Sequence, residues 1–146
     1  MDGEALKSVA RRLQVRAAAE RAADSARLLL DSVSDPIYQP VRELGRRYVS
    51  ADRAAGTTSR WEVMAPVIEG LAASTALDIG CNAGWFTLAL GRMGVATLGV
   101  EGHPPYYRAA ITAVRRSGLR NVGIMTLELG PKTMGLLPAV DCTLFL

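Results

Sequence analysis

Residues 76–95, with the sequence ALDIGCNAGWFTLALGRMGV, combine an acid and two glycines between two apolar runs. Asp78 stands near the end of the first run, and Gly80 and Gly84 follow it. Ligands of open parallel sheets bind beyond the carboxyl ends of the strands, where a glycine turn lets them approach the backbone. The amides of such a turn and of the following helix N-terminus are available as donors. The pattern therefore predicts a ligand-binding turn to which Asp78 adds a negative charge.

A second acid, Glu101, ends the next apolar run, 23 residues after Asp78. A carboxylate at that position of a nucleoside-binding sheet accepts both hydrogen bonds of a ribose diol. The turn has the spacing D-x-G-x-x-x-G, whereas a dinucleotide site uses G-x-G-x-x-G to seat a pyrophosphate. The spacing therefore argues against a nicotinamide or flavin dinucleotide. An adenosine that carries a positively charged amino-acid tail matches both acids.

Short apolar strands alternate with helices over the second half of the chain, which predicts parallel βαβ units and an α/β fold. The predicted strands cover residues 75–80, 95–101, 121–129 and 140–146, and the predicted helices cover residues 85–93 and 105–117. Asp78 and Glu101 lie at the ends of the first two of these strands.

The sequence before the first strand predicts further helices. Ser59 and Glu62 have the spacing of a capping box and predict a helix that begins there, after a linker over residues 50–59. Pro66 falls inside this helix and predicts a kink or a second start. An amphipathic pattern predicts one helix, or two, over residues 4–33.

Composition and charge describe a globular chain. Its 146 residues are 49% hydrophobic and 21% charged, as in soluble proteins with a sizeable core. No apolar run reaches the roughly 18 residues that cross a bilayer, so we expect a cytoplasmic protein without membrane contact. The net charge of +3 comes from residues 1–60, and we interpret it as a solvated helical face, with nucleic acid as the weaker alternative. Cys81 and Cys142 predict reduced thiols, and no motif predicts a metal site.

The segment LDIGCNAGWFTLALGRMG, followed by TLGVEGHP, resembles the class I S-adenosylmethionine-dependent methyltransferases. The resemblance implies a Rossmann-like parallel sheet with strand order 3-2-1-4, S-adenosylmethionine as the cofactor, and methyl transfer to an acceptor that the sequence does not identify. It divides the chain into a helical N-terminal region, residues 1–58, and a cofactor-binding domain, residues 59–146.

The resemblance also predicts the cofactor-binding residues. These are Asp78, Gly80, Cys81, Asn82, Gly84, Glu101, Gly102, His103 and Glu128. The first five belong to the strand end and the turn that would hold the methionine part of the cofactor. Glu101 would hold the ribose, and Gly102 and His103 would lie beside the adenine. Glu128, at the end of the third predicted strand, would lie near the adenine amino group.

Two of these residues have competing interpretations. His103 is either a residue at the rim of the cofactor site or a loop histidine without ligand contact, and the sequence favours neither. The Asn82 amide either hydrogen-bonds the ligand or caps the following helix. The sequence identifies no catalytic residue.

The last residues, Phe145 and Leu146, lie within an apolar run, whereas the acceptor-binding residues of the methyltransferases largely follow the fourth strand. We therefore expect a piece of a longer methyltransferase, or a chain that another chain or its own N-terminal helices complete. An uncovered fourth strand would be an apolar edge through which the chain self-associates. The alternative to an active methyltransferase is a non-catalytic remnant that binds the cofactor, or a pseudoenzyme that a partner completes.

Overall fold

The computed structural model describes Ile37, residues 39–45 and residues 51–146. In chain order its main elements are α1 (Ala51–Gly70), β1 (Thr75–Ile79), α2 (Trp85–Arg92), β2 (Ala96–Glu101), α3 (Pro104–Ser117), β3 (Val122–Thr126) and β4 (Cys142–Phe145). Two short 3₁₀ helices cover Arg42–Leu44 and Met134–Leu136. The predicted helix over residues 4–33 lies outside the described residues, as does most of the predicted N-terminal region 1–58.

The four strands form one parallel sheet with the order β3-β2-β1-β4. The predicted α/β architecture and strand order are therefore confirmed. In the register of the sheet, Asp78 of β1 is opposite Gly99 of β2 and Leu144 of β4. Since parallel neighbours need a crossover, α2 and α3 connect successive strands and pack on the sheet.

Different parts of the chain bury the two faces of the sheet. On one face, the apolar side chains of β1 and β2 pack against the connection between β3 and β4, including Leu127 and Leu137. On the other face, side chains of α1, α2 and α3 form the core with Ala76, Val122 and Leu144. Because side chains alternate along a strand, Asp78 and Glu101 belong to this second, helical face.

The predicted helix start at Ser59 is wrong. The helix α1 begins at Ala51 and runs through Pro66 as one element, so residues 51–59 of the predicted linker are helical. Trp61 and Ile68 pack it against α2 and the sheet. This packing and the alanine-rich start of α1 favour helix over a local capping signal, which a helix interior can also contain.

Asp141 ties the start of β4 to the start of β1. Its Oδ2 accepts hydrogen bonds from the backbone N–H and the hydroxyl of both Ser74 and Thr75, at 2.8–3.0 Å. These bonds lower the pKa of Asp141 from its ordinary value of 3.8 to about 2. The carboxylate thereby fixes where β4 begins along β1.

Gly99 lies where α2 packs closely on the sheet. A Cβ at this position would lie 2.7 Å from Thr87 Oγ1, 2.7 Å from Ile124 Cδ1 and 3.0 Å from Cys81 Sγ. These distances leave no room for a side chain, so a glycine is required for α2 to rest on β2 at this depth.

We expect Gly99→Ala to lower the free energy of unfolding by about 1–3 kcal/mol, because it overpacks a closely packed core. Gly123→Ala in β3 is the matched control, since its Cβ would meet only Leu98 Cδ1, at 3.7 Å. The control should change stability by less than about 1 kcal/mol. Urea denaturation followed by circular dichroism measures both values. Equal effects of the two substitutions would contradict the close approach at Gly99.

Candidate functional site

Asp78 and Glu101 are buried at the carboxyl ends of β1 and β2. Their exposed fractions are 2% and 8%. Ionised carboxylates in such positions lose hydration, which must be offset by hydrogen bonds. The surrounding hydrogen bonds show how the fold accommodates both groups.

Glu101 is fixed by two backbone amides. The Asn82 N–H donates to its Oε2 at 2.8 Å, and the His103 N–H donates to its Oε1 at 2.7 Å. A carboxylate has about four lone-pair positions. Each oxygen of Glu101 therefore accepts one bond from the protein and has capacity for one more.

Asp78 is held by Thr87 of α2. The Thr87 hydroxyl donates to Asp78 Oδ2 at 2.6 Å. Burial raises the pKa of Asp78 from its ordinary value of 3.8 to about 6, against the lowering effect of hydrogen bonding to Thr87, and the charge of Glu101 adds to the rise.

The backbone amides of the turn are engaged within the protein. The N–H groups of Gly80 and Cys81 donate to the Val100 carbonyl, and that of Gly84 donates to the Cys81 carbonyl. The Ala83 N–H donates to Asn82 Oδ1. The expectation that these amides are donors for a ligand is therefore wrong in this structure. They hold the turn against β2 instead.

The two glycines of the turn have different surroundings. Gly80 has a φ of +71° and is exposed, with no atom within 4 Å of the position of a Cβ. Gly84 has a φ of +84° and is buried, and a Cβ there would lie 3.4 Å from Ala110 Cβ of α3. Gly80 thus leaves open space beside the backbone, whereas Gly84 allows the start of α2 to pack closely on α3.

Cys81 and Asn82 support the turn from inside. The Cys81 side chain packs in the core with Ala110 and Ile124. Burial raises the pKa of the Cys81 thiol well above its usual range, and the nearby carboxylates add to the rise, so the thiol is neutral. Asn82 has a φ of +52°, which directs its N–H to Glu101 while its Oδ1 accepts from the next residue rather than capping α2.

Gly102, His103 and Glu128 lie on the exposed rim of the site. A Cβ at Gly102 would lie 3.4 Å from the Leu127 carbonyl and 3.6 Å from Glu128 Cα, so the loops after β2 and β3 are close neighbours. The prediction that Glu128 ends the third strand is wrong, because β3 stops at Thr126. The His103 ring contacts the Tyr106 ring, with centroids 4.7 Å apart.

Sequence reasoning missed Gln39. Its side chain is buried, with 3% exposed, and its Oε1 accepts a hydrogen bond from the Trp85 N–H at 3.1 Å. This bond completes the engagement of every backbone N–H from Gly80 to Trp85. No local signal reveals it, since Gln39 lies 46 residues before Trp85.

Over Ile37, residues 39–45 and residues 51–146, no group of three or more histidine, cysteine or acidic side chains is arranged to hold a metal ion. In the same residues, no helix has both the length and the apolarity to span a membrane.

Solved structures share this fold. The N-terminal domain of EvdMO1 in the presence of SAH and D-fucose matches with a TM-score of 0.56 and 22% identity, over 98% of this chain and 52% of that one. The same domain with SAH bound matches with a TM-score of 0.50 and 22% identity, over 92% and 50% of the two chains. An O-methyltransferase from Bacillus cereus in complex with SAH matches less well, with a TM-score of 0.44 and 15% identity, over 82% of this chain and 43% of that one.

This chain spans about half the length of the solved structures it matches. No protein-family model and no curated protein matches its sequence. At 22% identity, the likeness to the EvdMO1 domain bears on the fold. Together with the strand order, it shows that the chain has the class I methyltransferase fold, as the sequence resemblance predicted.

Asp78→Asn should become more stable relative to the wild type as the pH rises. The pKa of Asp78 is raised from 3.8 to about 6 in the folded protein. The stability that proton binding contributes is complete below the lower value and is lost as the pH rises through the upper one. Asparagine has no charge to bury, so the difference in unfolding free energy should grow by on the order of 2–3 kcal/mol across this window. Denaturant titrations at several pH values measure it.

Asp141→Asn is the matched control for this prediction. The pKa of Asp141 is lowered to about 2, so its contribution to stability is present above 3.8 and is lost as the pH falls through the lower value. Between pH 3.8 and about pH 6, the difference in unfolding free energy between Asp141→Asn and the wild type should therefore not grow as it does for Asp78→Asn. Parallel pH curves for Asp78→Asn and the wild type would contradict the account of Asp78 as a destabilised buried charge.

Proposed function

We propose that this chain binds S-adenosylmethionine at the carboxyl ends of β1 and β2 and acts in methyl transfer. The observation that carries the proposal is the pair of buried carboxylates, Asp78 and Glu101, beside a turn whose backbone N–H groups are already engaged. Such a site is rich in hydrogen-bond acceptors and poor in donors. It therefore favours a cationic ligand that carries hydroxyl groups.

The same hydrogen bonds argue against a dinucleotide ligand. A pyrophosphate is held by free amides of a glycine turn and by the N-terminus of the next helix. Here the amides of Gly80 and Cys81 donate to Val100, and that of Trp85 donates to Gln39. The negative charge of Asp78 would also repel a phosphate. S-adenosylmethionine has no phosphate and carries positive charge on its sulfonium and ammonium groups.

Glu101 is the proposed ribose ligand. Both of its oxygens are oriented by backbone N–H groups, from Asn82 and His103, and each has capacity for one further hydrogen bond. A ribose diol supplies two hydroxyl donors on adjacent carbons, which matches the two remaining positions. The rim residues Gly102 and Glu128 would then border the adenine.

Asp78 and Gly80 are proposed to serve the amino-acid part of the ligand in different ways. Asp78 is too deeply buried to contact it directly and would act through its negative charge and through its hold on Thr87. Gly80 is exposed and has open space beside its α-carbon, where the amino-acid part can approach the backbone.

When bound, S-adenosylmethionine supplies a methyl group that its positively charged sulfur already activates. The task of the protein is to bind the donor and to align an acceptor with it. The EvdMO1 domain supports this proposal as a domain of the same fold with SAH bound.

Calorimetry on the full chain tests the proposal. S-adenosylmethionine and S-adenosylhomocysteine (SAH) should bind, whereas NAD should give no heat of binding at the same concentrations. Preferential binding of NAD would overturn the proposal. A transfer assay with methyl-labelled S-adenosylmethionine and cell extract then separates an enzyme, which labels an acceptor, from the non-catalytic alternative, which binds without transfer.

We expect Glu101→Ala to weaken SAH binding roughly tenfold or more, because a hydrogen bond to a charged group contributes about 1.5–3 kcal/mol. Glu69→Ala is the matched control, since Glu69 is an exposed glutamate on α1. Calorimetry measures both affinities, and circular dichroism shows that each variant is folded. Equal affinity of the folded Glu101→Ala variant and the wild type would count against the ribose assignment.

A further inference from the structure

A short segment before α1 packs against the back of the turn. We call Ile37 and residues 39–45 the strap. Its Ile37 and Val41 side chains are buried, with 1% and 2% exposed, in a cluster that contains Ala83 of the turn and Ala109 of α3. Glu43 of the strap forms an ion pair with Arg92 of α2. The strap therefore contacts the turn and both helices that follow it.

Gln39 is the one polar side chain of the strap that reaches the start of α2. The residue before this helix is Gly84, which has no side chain and therefore cannot cap the helix. Gln39 Oε1 accepts the Trp85 N–H instead. The Thr87 hydroxyl of the same first turn donates to Asp78 Oδ2. Gln39 and Asp78, which come from distant parts of the chain, thus both hold the N-terminal turn of α2.

We propose that Gln39 is a positioning residue for cofactor binding, because its hydrogen bond to Trp85 fixes the path of residues 80–84. This inference rests on the proposed binding of S-adenosylmethionine. The turn lies between β1, which the sheet holds, and the first residue of α2, which Gln39 holds. Losing the acceptor would leave a buried N–H without its partner and free the end of the turn to shift.

The proposal makes the effect of Gln39 specific to one part of the ligand. Residues 80–84 are the proposed neighbours of the amino-acid part, whereas Glu101 on β2 is the proposed ribose ligand. Of the two amides that orient Glu101, only that of Asn82 belongs to residues 80–84, and the His103 N–H continues to hold Oε1 when the turn shifts. A ligand with an amino-acid part should therefore lose more affinity than the same nucleoside without it. A general loss of stability would not produce this difference.

Gln39→Met tests the proposal, since methionine has a similar length and shape but is only a weak acceptor. Calorimetry on the full chain compares SAH with adenosine, which lacks the amino-acid part. We expect the affinity for SAH to fall about three- to tenfold and that for adenosine to change less than about twofold. Gln39→Glu keeps an acceptor oxygen beside the helix N-terminus and should retain SAH affinity close to that of the wild type.

Glu43→Gln is the matched control in the strap. It removes the ion pair with Arg92, whose side chain is 48% exposed, and leaves Gln39 in place. Such partly exposed pairs contribute little, so SAH affinity should stay within about twofold of the wild type. If it falls as much as in Gln39→Met, the strap acts as a whole and the assignment to Gln39 is overturned.

The remaining outcomes are also decisive. Equal losses for SAH and adenosine in Gln39→Met, or no loss for either, overturn the positioning role. A wild type that binds neither ligand overturns the proposed function and this inference with it. If Gln39→Met does not fold, hydrogen exchange on the wild type replaces it. SAH should then slow exchange of the Trp85 amide more than adenosine does, and equal protection by both overturns the proposal.

Discussion

Two carboxylates, Asp78 and Glu101, are buried at the same end of adjacent strands, and the hydrogen bonds they need determine how the turn and α2 are arranged around them. Burial and the charge of Glu101 disfavour the ionised form of Asp78. The fold supplies hydrogen-bond donors to both groups: the Thr87 hydroxyl donates to Asp78, and the amides of Asn82 and His103 donate to Glu101. Because Asp78 destabilises the fold at neutral pH, we connect it with the proposed ligand binding rather than with stability.

The backbone of the turn follows from this arrangement. Gly99 has no Cβ, so α2 comes close enough for the Thr87 hydroxyl to reach Asp78. Asn82 adopts a positive φ, and its N–H then points at Glu101. The amides that a phosphate site would leave free are used to hold Glu101 and the turn itself. The result is a surface of acceptors, which distinguishes this site from the phosphate-binding turns of other Rossmann-like sheets.

Local signals in the sequence predicted the parallel strands and their crossover helices, because short apolar runs that alternate with helices admit few arrangements, and the family resemblance supplied the strand order. The local signals also predicted that Asp78 and Glu101 stand near the carboxyl ends of the first two strands. The predicted start of α1 at Ser59 was wrong, because packing of the helix overrides the local capping signal at that residue. Gln39 could not be predicted, since its partner, Trp85, is distant in sequence and the bond depends on how the strap packs. The engaged amides of the turn were missed for the same reason: several of their acceptors lie on β2.

A structure of the 146-residue chain crystallised with SAH tests the central claim most directly. The account predicts that the two ribose hydroxyls donate to the two oxygens of Glu101, and that the N–H groups of Asn82 and His103 keep their bonds to the same carboxylate. The amides of residues 80–84 should keep their protein acceptors. A ligand bound elsewhere, or one that takes these amides as its own donors, would contradict the account of the turn as an acceptor site built around two buried acids.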